Sequence, residues 1–246
     1  MCDHHLLLIV KRTTLLMLFI IINAVALAQN GFDYHKFSLG SGAGATIAYG
    51  NTDTKVTKTA LNFNINYNAT PFLTYTLETQ VGQLAGGSPY DYYQRQFTNT
   101  YFAVMTHVDL QLGELIDYEH NEVSNSLKNV YVGTGVGVMA NVITYIQTTI
   151  PPGLSSNGAT DYPYSPASVN VVIPLRAGYE FKLYNNYDMP RYRLDFGYSF
   201  NTALGKGLDG YTSLSAIKFY SYLSVTFKIG LGGTTNYRKP IPYWGF

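Results

Sequence analysis

His107 and Asp109 stand two residues apart, so in an extended strand both side chains leave from one face. A histidine beside a carboxylate is part of a nucleophile-activating set, and a nearby serine would complete a hydrolase. No G-x-S-x-G pattern accompanies the pair, and an isolated His-x-Asp is common by chance. Taken at every second residue, the same face of other segments carries Glu78, Glu180 and Asp195 against Arg176, Lys182, Arg193, Lys218 and Lys228. Enclosed charges of near-balanced sign should pair, because an unpaired buried charge is costly. The expectation is a structural charge network of these ten residues, with no catalytic role. The sharper alternative is a conduction path whose selectivity they tune.

The remaining chemistry-bearing residues are sparse. His4, His5 and the only cysteine, Cys2, lie at the amino terminus, while His35 and His120 are isolated. No metal-ligand spacing and no cofactor motif is found. Gly40, Gly42 and Gly44, like Gly133, Gly135 and Gly137, sit two apart and line one face of a strand, unlike a phosphate-binding loop. Asn68-Ala-Thr70 matches a glycosylation sequon but reads as turn chemistry beside Pro71.

The elements carrying these residues are strands. From Ile217 to Leu231, the residues Ile217, Phe219, Leu223, Val225, Phe227, Ile229 and Leu231 alternate with Lys218, Tyr220, Tyr222, Ser224, Thr226, Lys228 and Gly230. A period of two sustained over about 15 residues marks a strand with one apolar face. Its length exceeds the usual soluble strand of about 5–6 residues and suits a tilted membrane span of roughly 9–11. The same alternation predicts eight strands, at 35–50, 59–69, 73–86, 99–113, 129–145, 167–184, 191–204 and 216–232. The first, third, fifth and seventh connections are long and the second and sixth short, as in bacterial barrels with short periplasmic turns and longer outer loops. The fourth, GELIDYEHNEVSNSLK, is long for a periplasmic turn and has room for a short helix.

The amino terminus reads as an export signal. Lys11 and Arg12 precede an apolar run from Leu15 to Ala26, and Ala26-Leu27-Ala28 supplies the small-x-small cleavage pattern. Residues 1–28 are expected to be removed, leaving one domain over 29–246. That cut takes Asp3, Lys11 and Arg12 from totals of 15 acidic and 16 basic residues, leaving 14 of each. A balanced, cysteine-free mature chain argues against a nucleic-acid partner and against a disulfide framework.

The non-apolar strand face decides which side is inside. A soluble barrel turns apolar residues inward and needs a charged exterior. Here that face is mostly Gly, Ser, Thr and Asn, including Asn62, Asn64, Asn66 and Asn68 in register, with charge at few positions. These residues fit a narrow lumen, and the apolar face fits lipid. The fold expected is all-β, an eight-stranded antiparallel transmembrane up-and-down β-barrel. Tyr49, Tyr67, Tyr75, Tyr179, Tyr192 and Tyr198 could form interfacial aromatic girdles.

Signal, eight alternating strands and tyrosine-rich loops together resemble the small outer-membrane β-barrel proteins of Gram-negative bacteria, particularly those of Bacteroidota. The plan is similar to the transmembrane domain of outer-membrane protein A, over residues 35–233. The resemblance implies a bacterial outer-membrane location, lipid and the assembly machinery as partners, and a monomer. Members commonly close on an aromatic residue in the last strand. Here the tail TTNYRKPIPYWGF separates Phe246 from that strand, so the assembly signal is expected within Tyr222 to Leu231. Some barrels of this kind modify lipid A, which makes a lipid-modifying enzyme a further alternative. The expected function is a non-enzymatic barrel with a plugged polar lumen, acting in structure or surface interaction through loops 147–168 and 87–98. Its surface ligand is unknown, and a narrow pore for small solutes or ions is the alternative.

Overall fold

The structure is a computed structural model that describes residues 32–116, 118, 122–154, 160–184, 190–205, 207–212 and 217–237. The export signal, His4, His5 and His120, and the tail after Tyr237 lie outside them. Eight antiparallel strands close into one barrel in sequence order: β1 (Phe32–Tyr49), β2 (Lys55–Asn68), β3 (Leu73–Gly86), β4 (Phe97–Gln111), β5 (Val130–Ile146), β6 (Ala167–Tyr184), β7 (Pro190–Leu204) and β8 (Ile217–Tyr237). Closure comes from pairing of β1 with β8, from Tyr49↔Phe219 down to Phe32↔Tyr237, with a register shift between His35 and Phe37. A closed ladder leaves no sheet edge, the condition for crossing hydrocarbon, where each unpaired backbone group costs several kcal/mol.

The polarity of this barrel is inverted relative to a soluble one. Leu61, Val81, Val132, Val138, Val169, Leu175, Leu223 and Val225 project outward and are exposed, Leu175 by 63 %. Glu78, Asn64, Asn66, Gln80, Asn201 and Thr226 project inward and are buried, Glu78 to 1 %. No helix among the described residues is long and apolar enough to cross a membrane; these strands supply the apolar surface instead.

The two ends differ. The connections that follow β1, β3, β5 and β7 leave from one end, the long-loop end. At the other, residues 69–72 join β2 to β3, and a longer segment joins β4 to β5. That segment holds a 3-10 turn (Leu112–Glu114) and a short helix α1 (Glu122–Leu127). Phe72 is fully buried against Tyr118 and Tyr237, with ring centroids at 5.5 and 6.2 Å. Glu114 accepts from Thr70 Oγ1 at 2.7 Å and from the Tyr237 hydroxyl at 3.3 Å. The fourth connection is thus long because it packs an aromatic cap beneath the lumen.

The glycine rows are spacers for large neighbours. Gly133, Gly135 and Gly137 on β5 pair with Asp109, His107 and Met105 on β4, and a Cβ at any of the three would meet those residues or their backbone. Gly40 leaves room for Asn64 and the Lys228 stem. The lumen face is not made of small residues alone, however. Tyr101, Tyr131, Tyr220, Tyr222, Met105 and Met139 are fully buried within it. Tyr179, expected in an aromatic girdle, donates its hydroxyl to Ser126 O on α1 at 3.0 Å and packs its ring on Phe181.

Candidate functional site

The lumen charges form two clusters and one outer pair. In the first, Arg176 on β6 reaches across the barrel to Glu78 on β3, Nη1 to Oε2 at 2.5 Å. His107 Nε2 lies 3.2 Å from the same carboxylate oxygen, and its Nδ1 lies 3.2 Å from Asp109 Oδ1. Arg176 Nε is 3.5 Å from that Asp109 oxygen. Gln80 Nε2 donates to the other Glu78 oxygen at 2.6 Å. Each carboxylate therefore has a cationic or N–H neighbour, as low-dielectric burial demands.

In the second cluster Lys228 on β8 bridges Glu180 at 3.0 Å and Asp195 at 2.8 Å. Arg193 meets Glu180 at 3.4 Å and donates to Ser38 Oγ at 2.5 Å. Lys182 donates to Pro71 O and Gln111 Oε1, both at 2.9 Å, with its ammonium 4.6 Å from the centre of the Phe72 ring. The outer pair is Lys218 with Asp209, at 3.1 Å. All ten residues of the expected network are buried. The network also uses Asp209, which alternation does not mark, and Tyr131, which alternation places on the polar face without giving its reach. Asp209 sits in what reads as a surface turn, GKGLDGY, and only its distant partners draw it inward.

At the long-loop end some loop residues turn inward. Leu208 and Asp209 are buried there, with Asn99 Nδ2 donating to Leu208 O at 2.6 Å and Asn141 Nδ2 to Gly207 O at 3.0 Å. Asp209 Oδ2 also accepts from Asn51 N at 3.0 Å. Tyr211 ties three loops together: its hydroxyl accepts from Gln96 N at 3.0 Å and lies 2.6 Å from Gln147 O. Burial pushes that phenol up to about 12. The Arg95 guanidinium lies against the rings of Tyr162, Tyr93 and Tyr211, at 4.4, 5.1 and 5.7 Å from their centres.

Within loop 87–96, Asp91 acts as a clasp. It accepts from Thr54 Oγ1 at 2.6 Å, Thr54 N at 3.1 Å and Ser88 N at 3.0 Å. The Thr54 hydroxyl, followed by these amides, holds the carboxyl below its ordinary value.

What this arrangement can do chemically is limited. A guanidinium only donates, and Arg176 Nη1 lies 2.8 Å from His107 Nε2. That nitrogen also lies 3.2 Å from Glu78 Oε2, so it is engaged in either tautomer, as acceptor from Arg176 or as donor to the carboxylate. Among the described residues no group of three or more His, Cys, Asp and Glu is placed to hold a metal ion.

No protein-family model matches the chain, and no curated protein is similar to it in sequence. The solved structures that the chain matches include three proteins, each at low identity and a TM-score under 0.5. Neisserial surface protein A is 12 % identical, with 80 % of this chain covered, 97 % of that one, and a TM-score of 0.44. Ail, the attachment invasion locus protein of Yersinia pestis, is 12 % identical over 80 % of this chain and 99 % of that one, TM-score 0.40. Outer membrane protein AlkL is 12 % identical over 86 % and 94 %, TM-score 0.30. On its own geometry, eight strands closed without an edge, apolar outside and polar within, the chain has the architecture of a small outer-membrane β-barrel.

Proposed function

We propose that the protein is a non-enzymatic barrel of the bacterial outer membrane, with a lumen closed to solutes and a surface-interaction role carried by its long-loop end. The observation that carries this reading is the run of paired charges across the lumen, from Lys218–Asp209 through Arg176–Glu78 to Lys228 with Glu180 and Asp195. Four buried tyrosines fill the space between. Near the other end, the space lined by Asn68, Pro71, Lys182 and Arg193 is about 10 Å³, enough for about one water. Eight strands leave little bore in any case. The engagement of His107 Nε2 by Arg176 argues against a hydrolase. The surface role falls on the loops because that is where ligand-contacting residues concentrate in rigid scaffolds.

The test is single-channel recording of the refolded chain in a planar bilayer, with Arg176→Ala beside it. Silence in the wild type and leak in the variant is the expected result. Steady openings in the wild type overturn the closed lumen in favour of a narrow pore. Lipid A mass spectra altered on expression overturn the non-enzymatic reading.

A further inference from the structure

We propose that loop 87–96 carries a recognition site for an uncharged saccharide, built from Tyr90, Tyr92 and Tyr93. The inference deepens the surface-interaction reading and rests on it. These three rings are 95 %, 69 % and 44 % exposed, on a loop that extends past the strand ends. A girdle tyrosine lies on the sheet face, as Tyr67 and Tyr75 do in register on β2 and β3; these three do not.

The loop that holds them is fixed. Asp91, between Tyr90 and Tyr92, is locked by its three bonds to Thr54 and Ser88. Gly87 N donates to Thr54 O at 2.8 Å and Gln94 N to Asp91 O at 3.0 Å. Gln94 has φ 49°, the only positive φ outside glycine among the described residues. Such backbone is held only where surrounding contacts over-determine it, and it clusters at ligand-contacting segments. Arg95 then anchors the loop to Tyr162 and Tyr211. Large aromatic faces kept in water by a pre-set backbone lose little entropy on binding, which is how tyrosine serves in rigid paratopes.

The chemistry of the site selects the ligand. Its two charged residues are spent internally, the Asp91 carboxylate on the clasp and the Arg95 guanidinium on the rings. What faces solvent is ring surface and phenol hydroxyls. The Tyr92 and Tyr93 rings meet at 87° with centroids 5.0 Å apart, forming a corner. A pyranose offers the complement: C–H groups on one face to lie on a ring, and hydroxyls on its rim to bond the phenols. A polyanion would require several free cations, whereas the one cation of the loop, Arg95, is packed against the rings of Tyr162, Tyr93 and Tyr211.

The test is surface-plasmon resonance of the full refolded chain in nanodiscs over immobilised dextran, mannan and lipopolysaccharide. The first two stand for free neutral polysaccharide and the third for saccharide of the surrounding membrane. Binding to at least one surface is expected, unchanged by raised salt. Tyr92→Ala should weaken it at least about tenfold, Tyr92→Phe far less, and Tyr164→Ala, elsewhere on the long-loop end, not at all. Silence on all three surfaces, or equal binding by Tyr92→Ala, overturns the site. Channel recordings judge the closed lumen independently: a silent barrel that binds none of the probes removes this inference alone.

Discussion

The Tyr131 hydroxyl on β5 donates to Asp195 Oδ1 on β7 at 2.9 Å, lying in space that two glycines leave open. A Cβ on Gly178 would stand 2.5 Å from that hydroxyl oxygen, and one on Gly197 2.8 Å. Small residues on β6 and β7 thus admit a large one from β5, and the large one completes a charge cluster. Tyr131→Phe keeps the packing and deletes the bond to a buried carboxylate. It should cost about 1–3 kcal/mol in urea unfolding of the detergent-refolded barrel, with no new conductance.

Removing Arg176 leaves Glu78 and Asp109 without their guanidinium. Arg176→Met should destabilise by about 3–5 kcal/mol. Adding Glu78→Gln should recover a substantial part, since the carboxylate then needs no counter-charge. The same unfolding series reads both, and a double variant no better than the single one would show that the pair is not coupled.

Gly135→Ala tests the spacer role on β5. The added methyl would press on Thr106 O and the His107 backbone, atoms of the sheet that cannot turn aside. A loss of about 1–3 kcal/mol is expected, visible as a lower temperature for the loss of heat-modifiable migration on gels.

The Asp91 clasp should be sensitive to acid. Its carboxyl is held below the ordinary value by the Thr54 hydroxyl and the neighbouring amides. Its contribution is therefore full above the unfolded carboxylate value of about 3.9 and is lost as pH falls through the lowered folded one. Amide exchange in residues 88–94, referred to the intrinsic rate at each pH, should be unprotected at pH ~2 and protected at pH ~5, whereas Asp91→Ala should be unprotected at both.

Lys128, which follows α1, gives a second rise of stability with pH, in the alkaline range. Burial lowers its ammonium to about 8 from an ordinary 10.5. Between those values the unfolded chain binds more protons than the folded one, so stability rises with pH across that window. Lys128→Met should remove this rise, read as the difference from wild type between pH 8 and 10.5.

Much of the barrel was legible because closure and membrane insertion impose a strict period of two on every strand. The inside-out polarity was legible from the asparagine row on β2 and the glycines on β1 and β5. A soluble exterior cannot be built from such residues. Two features were not. Tyrosine has an apolar ring and a polar tip, so it suits either a membrane girdle or a packed lumen, and alternation places it on a face without saying how far it reaches. Tyr101 and Tyr222 could be read only as members of the polar face; their role as fillers depends on the glycines and small residues across from them. Likewise Leu208-Asp209 reads as a turn, because Asn99 and Lys218, which hold it inward, belong to separate strands. The polar stretch Thr234 to Tyr237 reads as the start of a tail after the apolar face ends, yet it pairs with Phe32–His35 below the bulge.

That last pairing bears on how the barrel comes into being. The β1–β8 seam joins residues about as far apart as the chain permits; Asn236 and Asp33, which share a hydrogen bond, are 203 positions apart. Every other ladder links neighbours and can zip as the strands arrive, whereas the seam waits for both termini. Until it forms, the growing sheet carries two raw edges, which hydrocarbon does not tolerate and other chains readily join. Loop-closure entropy weighs more on this pairing than on any other ladder, and the long register from Phe32 to Tyr49 gives the closure many rungs once it begins.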